Sequence, residues 1–364
     1  MANLVFPTSE QLQKVAQEKL PTLTQDDPIF TEFPIISKPW INLRIEFKDS
    51  YRGLQQLRGV GGEPQRVAKV TARSYATEPG VYGEYETIDE KEMLERRPLG
   101  QWDGFVDIRD LVMEAQDKLL NRRVDRIRWI MWQLLATGSF YVPLPTTENG
   151  TVQAPGHTDA YGTVTSIGQF GMQTATASVA WSTFATSTPM QDLRAIRLLA
   201  RGRSVSFGRG AKAYMNEVTF QNMIRNTNAA DLGGKKGFIG AGFSTLTSVD
   251  DVNRFMMEAD LPTIVIYDNG YIDDNGTFQL FIPNGTVIVV GRRTNGDPLG
   301  NYIYTRNMMN NGEPGPYQFV NDNNVPGMRA IPPRVDVHDG HNGGPVINYP
   351  SAIVRLTGCG LTLG

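Results

Sequence analysis

The amino-acid sequence predicts an α+β fold in which one very long helix is combined with many short strands. Residues 107–137 repeat apolar side chains at helical spacing over about 30 residues, whereas an average globular helix has about 11–12. Residues 261–291 hold three short apolar runs joined by Asn-Gly pairs, the strongest short-range hairpin signal, and predict a β-meander. With 37 glycines and 22 prolines, the chain is expected to contain many turns and extended segments.

Composition limits the classes of function for a chain of 364 residues, which is long enough for two domains plus extensions. A formal net charge of −3 argues against a dedicated nucleic-acid binder with a strongly basic surface. The single cysteine, Cys359, cannot form an intrachain disulfide and is interpreted as a small buried or semi-buried residue. No apolar run reaches the roughly 18–20 residues of a membrane span, and the first residues lack a signal-peptide pattern. We therefore expect no membrane partner.

The first 43 residues are expected to form an arm that lies on other parts of the same chain or of a neighbour. Thr8 and Gln11 have the spacing of a helix capping box and predict a short helix. This helix is expected to end at Pro21, because proline breaks the helical hydrogen-bond pattern. Residues 22–39 contain three prolines and are expected to be extended.

Residues 44–100 are predicted to form a long two-stranded β-excursion with one basic and one acidic limb. Cations dominate residues 52–73, whereas acidic side chains dominate residues 78–95. An isolated hairpin is only marginally stable, so a docking partner would explain its length, although a surface loop with solvated charges is the plainer alternative. The candidate intersubunit contacts are Arg52, Arg58, Arg66, Lys69, Arg73, Glu84, Glu86, Glu90, Glu92 and Glu95.

The long helix at residues 107–137 is predicted to begin at the N-cap Asp107 and to end at Gly138. Arginines cluster in its second half and form either a solvated face, partly paired with Asp117 and Asp125, or a contact surface for a neighbouring subunit or nucleic acid. The members of this cluster are Arg122, Arg123, Arg126 and Arg128.

The remaining segments are expected to alternate between helices and strands. Strands and loops are predicted for residues 139–188, and a brief strand for residues 204–207. Residues 294–318 are expected to be loop-rich, with a turn at residues 310–312. Helices are predicted at residues 190–201, 212–225 and 248–260, and a late strand at residues 352–356.

Several segments, taken in order, resemble one known family. They are Pro79-Gly80-x-Tyr82 with residues 84–97, the long helix 107–137, Pro189-x-x-Asp192-Leu193, Ala211-Lys212-Ala213-Tyr214-Met215, the run 264–291 and Pro350-Ser351-Ala352. In this order they resemble the lambda-type (protein E) major capsid proteins of tailed bacteriophages, which share the Hong Kong 97 fold. The likeness covers nearly the whole chain, and its strength is the order of the parts.

The resemblance implies a domain organisation. Its parts would be an N-terminal arm (1–43), an E-loop (44–100), a peripheral (P) domain with the spine helix (101–188), an axial (A) domain (189–333) and a return to the P domain (334–364). It also implies a non-enzymatic subunit that self-assembles into hexamers and pentamers, which form an icosahedral head shell around double-stranded phage DNA. Heterologous contacts between identical subunits generate such rings.

The implied partners are further copies of the chain, a separate scaffolding protein, the portal and non-specifically bound packaged DNA, with a decoration protein left open. No cofactor is expected. The implied location is the virion, with assembly in the cytoplasm of the bacterial host. Some relatives cross-link their subunits through a Lys–Asn isopeptide bond. Lys48 and Lys69 lie in or near the E-loop, but no partner asparagine is identified, and no such site is assigned.

Three alternatives remain open. An encapsulin-type compartment shares the fold but encloses protein cargo. A metal-dependent enzyme could use Asp336, His338, Asp339 and His341, although an exposed polar turn is the favoured interpretation of residues 336–341. Residues 208–212 contain two glycines after a predicted strand and before a predicted helix, so phosphate binding is conceivable, but close packing explains the glycines more simply.

Overall fold

The computed structural model describes residues 4–5, 7–46, 54–55, 57–58, 60–63, 74–95, 106–142, 157–160, 172–201, 203–225, 249–273, 276–293, 295–321 and 334–360. Within these ranges, two five-stranded sheets lie against one 29-residue helix, so the predicted α+β class is correct. The helices are α1 Ser9–Thr24, α2 Pro28–Glu32, α3 Glu90–Glu95, α4 Arg109–Thr137, α5 Pro189–Leu198, α6 Glu217–Ile224 and α7 Val249–Glu258.

The strands are short with two exceptions, β5 and β19. In chain order they are β1 Leu4–Val5, β2 Ile35–Ser37, β3 Leu43–Glu46, β4 Ser74–Thr77, β5 Gly80–Asp89, β6 Val106–Asp107, β7 Ser139–Val142, β8 His157–Ala160, β9 Gln173–Thr176, β10 Val205–Ser206, β11 Lys212–Met215, β12 Thr263–Ile266, β13 Gly270–Ile272, β14 Phe278–Leu280, β15 Val287–Val290, β16 Arg292–Arg293, β17 Gly300–Tyr304, β18 Pro316–Asn321, β19 Arg334–Ile347 and β20 Ile353–Thr357.

Helix α1 has the predicted capping box, because the Thr8 and Gln11 side chains each bind the other residue's backbone N–H. The predicted end at Pro21 is wrong, since the helix continues to Thr24. Packing of α1 against α4 overrides the local signal, and Lys19 adds an ion pair to α4. The following segment is not uniformly extended, because it contains α2 and then β2.

The predicted β-excursion begins as a hairpin, but its acidic limb was wrongly assigned. Strand β3 pairs antiparallel with β4, which closes the base of the excursion between Leu43 and Thr77. The acidic strand β5 instead pairs antiparallel with β19 along its whole length, from Asp89 to Gly80. Burial of Ile88 against the core fixes β5 to the body of the protein rather than to the basic segment.

Helix α4 matches the predicted long helix closely. Its N-cap is Ile108 rather than Asp107, whose carboxylate nevertheless accepts a hydrogen bond from the Arg109 N–H at 3.1 Å. Gly138 ends the helix with a φ of 85°, a left-handed conformation that glycine adopts without steric cost. Ile127, Ile130 and most of the other apolar side chains of the helix are buried, and the helix contacts both sheets.

The first sheet has the strand order β12-β11-β15-β20-β9. Two predictions fail here. Residues 212–215 form strand β11 and not the start of a helix, because Ala213, Tyr214 and Met215 are buried between two neighbouring strands. Strand β11 also separates β12 from β15, so the predicted meander does not exist, and β13 and β14 form a hairpin of their own.

The second sheet is built on β19, which pairs with β5, β18 and β17, and β2 extends it beside β17. The prediction of an exposed turn at residues 336–341 is therefore wrong, because these residues lie in the middle of a 14-residue strand. Strand β17 also occupies a region expected to be loop-rich. The expected turn at residues 310–312 is present, with Asn311 and Gly312 at positive φ.

The other expected elements of the second half are found near their predicted positions. Helix α5 overlaps the helix predicted at residues 190–201, and α7 overlaps the one predicted at residues 248–260. Ser248 lies outside the described residues. Strands β10 and β20 match the brief strand and the late strand. The domain boundaries inferred from the resemblance stay predictions.

Candidate interaction surfaces

One face of α4 forms a ladder of ion pairs with β5. Arg122 donates two hydrogen bonds to Glu84, at 2.5 and 3.0 Å, and Lys118 donates one to Glu86 at 3.0 Å. The spacing of the two cations matches that of the two carboxylates, because four helical residues advance about 6 Å and two strand residues advance about 6.8 Å. The hydrogen bond from Arg122 lowers the pKa of the Glu84 carboxyl below its usual value.

Two predicted intersubunit contacts, Glu84 and Glu86, therefore have partners within their own chain. Their role between subunits stays a prediction. Arg126 lies one helical turn beyond Arg122 on the same face of α4 and places its guanidinium 5.6 Å from the ring centre of Trp129. Its side chain is exposed and remains accessible to a partner.

Arg123, the next residue along the same helix, is buried. Its Nη1 atom donates to both carboxylate oxygens of Asp339 at 2.9 Å, and the two side chains are each only 4% exposed. Gln318 donates to the same carboxylate at 2.5 Å and accepts from Gln116, which also donates to the Leu12 carbonyl. Burial raises the pKa of Asp339, and the nearby Arg123 opposes that shift. The prediction that Arg123 faces DNA or a neighbour is corrected, because it is a buried structural cation.

Arg128 anchors the N-terminal arm. It donates to Asp27 at 2.7 Å, to Asp125 at 2.8 Å and to the Leu23 carbonyl at 2.6 Å. Asp27 also accepts a hydrogen bond from the Tyr267 hydroxyl at 2.9 Å. The segment before α2 is thereby tied both to α4 and to the first sheet.

The four residues proposed for a metal-dependent enzyme do not converge on one point. Alternate residues of a strand point to opposite faces, so Asp336 and His338 share one face of β19, while Asp339 and His341 share the other. His341 Nε2 lies 2.9 Å from the Tyr302 hydroxyl, and the ring of His338 stacks on another aromatic side chain. In the ranges that the structure describes, no group of three or more His, Cys, Asp or Glu side chains is placed to hold a metal ion.

The glycines of residues 208–212 have a packing explanation. A Cβ atom at Gly208 would lie 2.7 Å from the Asp260 carboxylate, which accepts a hydrogen bond from the Arg209 N–H at 2.8 Å. A strand follows these residues instead of the predicted helix, so a helix N-terminus is absent at this point. Cys359 is fully buried, as predicted, and burial raises the pKa of its thiol.

The remaining predicted contact residues lie on exposed elements or outside the described ranges. Glu90, Glu92 and Glu95 are exposed on α3, and Arg58 is exposed near the hairpin tip. Four cations of the same set, Arg52, Arg66, Lys69 and Arg73, lie outside the described residues. Among the helices of the described residues, none is long and apolar enough to cross a membrane.

The sequence interpretation missed the apolar side chains of the hairpin tip. Leu54, Leu57 and Val60 are almost completely exposed, Leu57 at 99%. Their spacing of three residues in a glycine-rich polar stretch was the available signal. Large apolar groups exposed together mark surfaces that bind other molecules.

Comparison with solved structures defines the fold. A prophage protein of Escherichia coli CFT073, assigned as a capsid protein, matches with a TM-score of 0.56 and 12% identity over 97% of this chain and 99% of its own. A phage-related protein from Bordetella bronchiseptica RB50 matches with a TM-score of 0.56 and 11% identity over 99% of this chain and 100% of its own. The fold is thus that of Hong Kong 97-type phage capsid proteins, as predicted.

The sequence profile of the phage major capsid protein E family matches residues 18–299, well over half of the chain. The chain belongs to this family and is a phage major capsid protein, a subunit of the icosahedral shell. The resemblance drawn from the sequence is confirmed.

Proposed function

We infer that copies of this subunit assemble into hexamers and pentamers, which form the head shell around double-stranded phage DNA. The observation that carries the proposal is the hairpin tip, where Leu54, Leu57 and Val60 are exposed to solvent. A single folded chain gains nothing from this exposure, whereas a shell of copies would cover the tip. The family of the chain supports the same conclusion.

Rings require that the receiving copy does not return the same contact. A hairpin tip that docks on the next copy in this one-way manner makes a heterologous contact, which closes into a ring when its rotation permits. Charged side chains around such a contact set register and partner choice more than affinity. Arg58, Glu90, Glu92 and Glu95, together with the exposed ladder on α4, are proposed for that role.

Further partners follow from the proposed shell. They are a scaffolding protein, the portal and the packaged DNA, and a decoration protein is left open. Assembly is proposed to take place in the host cytoplasm. Arg122 and Arg126 are exposed on α4 and are proposed as contacts to DNA or to a neighbouring subunit. The subunit acts through its surfaces, and we propose no catalytic step.

The test is assembly of the recombinant protein, expressed together with the scaffolding protein of its phage. Negative-stain electron microscopy and size-exclusion chromatography should reveal closed shells or isolated rings. Shells that protect DNA from nuclease support the phage head, whereas shells filled with protein support the encapsulin-type alternative. A stable monomer under all of these conditions would contradict the proposal.

A matched pair of variants connects assembly to the hairpin tip. Leu57→Ser with Val60→Ser should abolish shells while leaving the circular dichroism of the subunit unchanged, because neither side chain packs on its own chain. Leu198→Ser, at the end of α5, removes a half-exposed leucine elsewhere on the surface and should leave assembly intact. Deletion of residues 59–66 should act like the first variant.

A further inference from the structure

A cleft of about 350 Å³ opens between α4 and the β13–β14 hairpin. Asp125 and Arg128 line it from the helix, and Asp268 and Asn269 line it from the segment that leads into β13. Phe278 and Phe281 form its apolar wall, with Phe278 57% exposed and Phe281 buried. The volume is at the small end of the range for binding pockets, so it suits one or two side chains.

The charges around the cleft favour a cation. Arg128 is the basic residue in its lining, and hydrogen bonds to Asp27 and Asp125 already engage its guanidinium. Asp268 is exposed at the rim, and its Oδ1 atom accepts a hydrogen bond from the Glu217 N–H at 2.9 Å. The lining thus holds two carboxylates, Asp125 and Asp268, against one arginine, beside the exposed ring of Phe278. A long basic side chain with an apolar stem fits this chemistry, because its stem packs on Phe278 and its charge reaches the carboxylates.

The hairpin tip carries the complementary groups. Leu57 and Arg58 are adjacent and exposed, and Val60 follows. Residues 52–73 hold five cations and one glutamate in sequence, so the whole segment is basic. The exposure of Leu57 also means that the tip is not docked on its own chain.

We propose that the cleft receives Leu57 and Arg58 of a second copy of this chain. The leucine and the stem of the arginine pack on Phe278, and the guanidinium lies between Asp125 and Asp268. This inference rests on the proposed function and names the surface that receives the hairpin tip. An anionic partner such as a nucleic-acid phosphate is disfavoured, because the carboxylates would repel it.

Mixed cysteine variants test the contact directly. Copies carrying Arg58→Cys are mixed with differently tagged copies carrying Asn269→Cys, assembled, and oxidised with copper–phenanthroline. Cys359 is fully buried and does not compete. The expected product is a disulfide-linked pair containing both tags, at a yield at least tenfold above that of Arg58→Cys mixed with Arg254→Cys, an exposed position on α7.

A double-mutant cycle on Arg58 and Asp268 supplies an independent test of the same contact. Asp268→Asn keeps the oxygen that accepts from Glu217 but removes the charge, so the protein concentration needed for assembly should rise severalfold. Adding Arg58→Gln should then change little, since the interaction has already been lost. Asp250→Asn, an exposed carboxylate of α7, should have no effect alone, and Arg58→Gln should keep its full effect in that background.

The outcomes separate this inference from the proposed function. Wild-type shells without the mixed disulfide, or additive effects of Asp268→Asn and Arg58→Gln, would overturn the docking site and leave the shell proposal intact. Absence of wild-type shells would overturn the proposed function and, with it, this contact.

Discussion

Arg122 and Arg123 are neighbours on α4, and both bind a carboxylate, yet their surroundings differ completely. The Arg122–Glu84 pair is half exposed, with 61% and 48% of the two side chains accessible, whereas the Arg123–Asp339 pair is sealed at 4%. Water and salt screen the first pair, which therefore contributes little to stability. The second pair leaves an uncompensated buried charge whenever one partner is removed. Position on the helix, rather than residue type, decides whether an ion pair holds the fold or stays available for assembly.

The largest expected effect is at the buried pair. Asp339→Asn should lower the free energy of unfolding of the unassembled subunit by about 3–5 kcal/mol, because the charge of Arg123 then lacks its counter-ion. Urea unfolding followed by circular dichroism measures the change. The double variant Arg123→Met with Asp339→Leu should recover most of the loss. A single-variant loss below about 1 kcal/mol would contradict the comparison, because exposed pairs cost that little.

An intermediate effect is expected on the opposite face of the same sheet. Gly83 and Gly340 are register partners on β5 and β19, and the Tyr317 hydroxyl of β18 lies over both. Gly83→Ala should cost about 1–3 kcal/mol, because its Cβ meets that hydroxyl. Urea unfolding should also show recovery when Tyr317→Phe is added. Gly340→Ala should not be rescued in this way, because its Cβ also meets the backbone oxygen of Tyr82.

The smallest effect is expected at the exposed ladder. Glu84→Gln should change the free energy of unfolding by about 0.2–1 kcal/mol at pH 7 and by less in 1 M salt. The folded-state pKa of Glu84 is lowered, so its contribution is present above the unfolded pKa and is lost as the pH falls through the folded pKa. Unfolding curves at pH 7 and at acidic pH measure this difference. Glu78→Gln, an exposed carboxylate outside the ladder, is the control, and an equal pH dependence in both variants would refute the assignment.

Elements with local signals were predictable from the sequence. The periodicity of α4 and the glycine at its end are local properties, and the predicted helix differs from the observed one by only two residues at its start. The same holds for the turn at Asn311 and for β20, which follows its own apolar run. The family resemblance came from the order of such elements.

Elements held by distant partners were not predictable. The turn predicted at residues 336–341 is part of β19 instead. Glycines suit this strand because neighbouring groups approach closely, such as the Ile303 oxygen 2.5 Å from a Cβ built at Gly343. Residues 211–215 have reasonable helix propensity, yet two flanking strands bury them. Asn216, whose side chain accepts from the Thr219 N–H at 2.9 Å, was the available signal for the true helix start.

The sequence predicted only part of the candidate surfaces, because they too depend on contacts between distant residues. The sequence identified the charged residues of β5 and α4, but their pairing joins residues 38 apart and appears only in the fold. The cleft beside Phe278 combines residues from two distant segments, and no local pattern marks it.

The pairing of two early strands, β2 and β5, with strands from the last part of the sequence has a consequence for biosynthesis. Strand β2 pairs with Tyr302–Tyr304, and β5 needs β19, which begins only at Arg334. A chain leaves the ribosome at about 5–20 residues per second, so its early strands wait for most of the protein to be made. A chain that is terminated before Arg334 lacks the central strand of one sheet and an inner strand of the other. Because both sheets need residues 334–357, a copy that stops before Arg334 cannot complete either sheet and lacks the folded surfaces of a shell subunit.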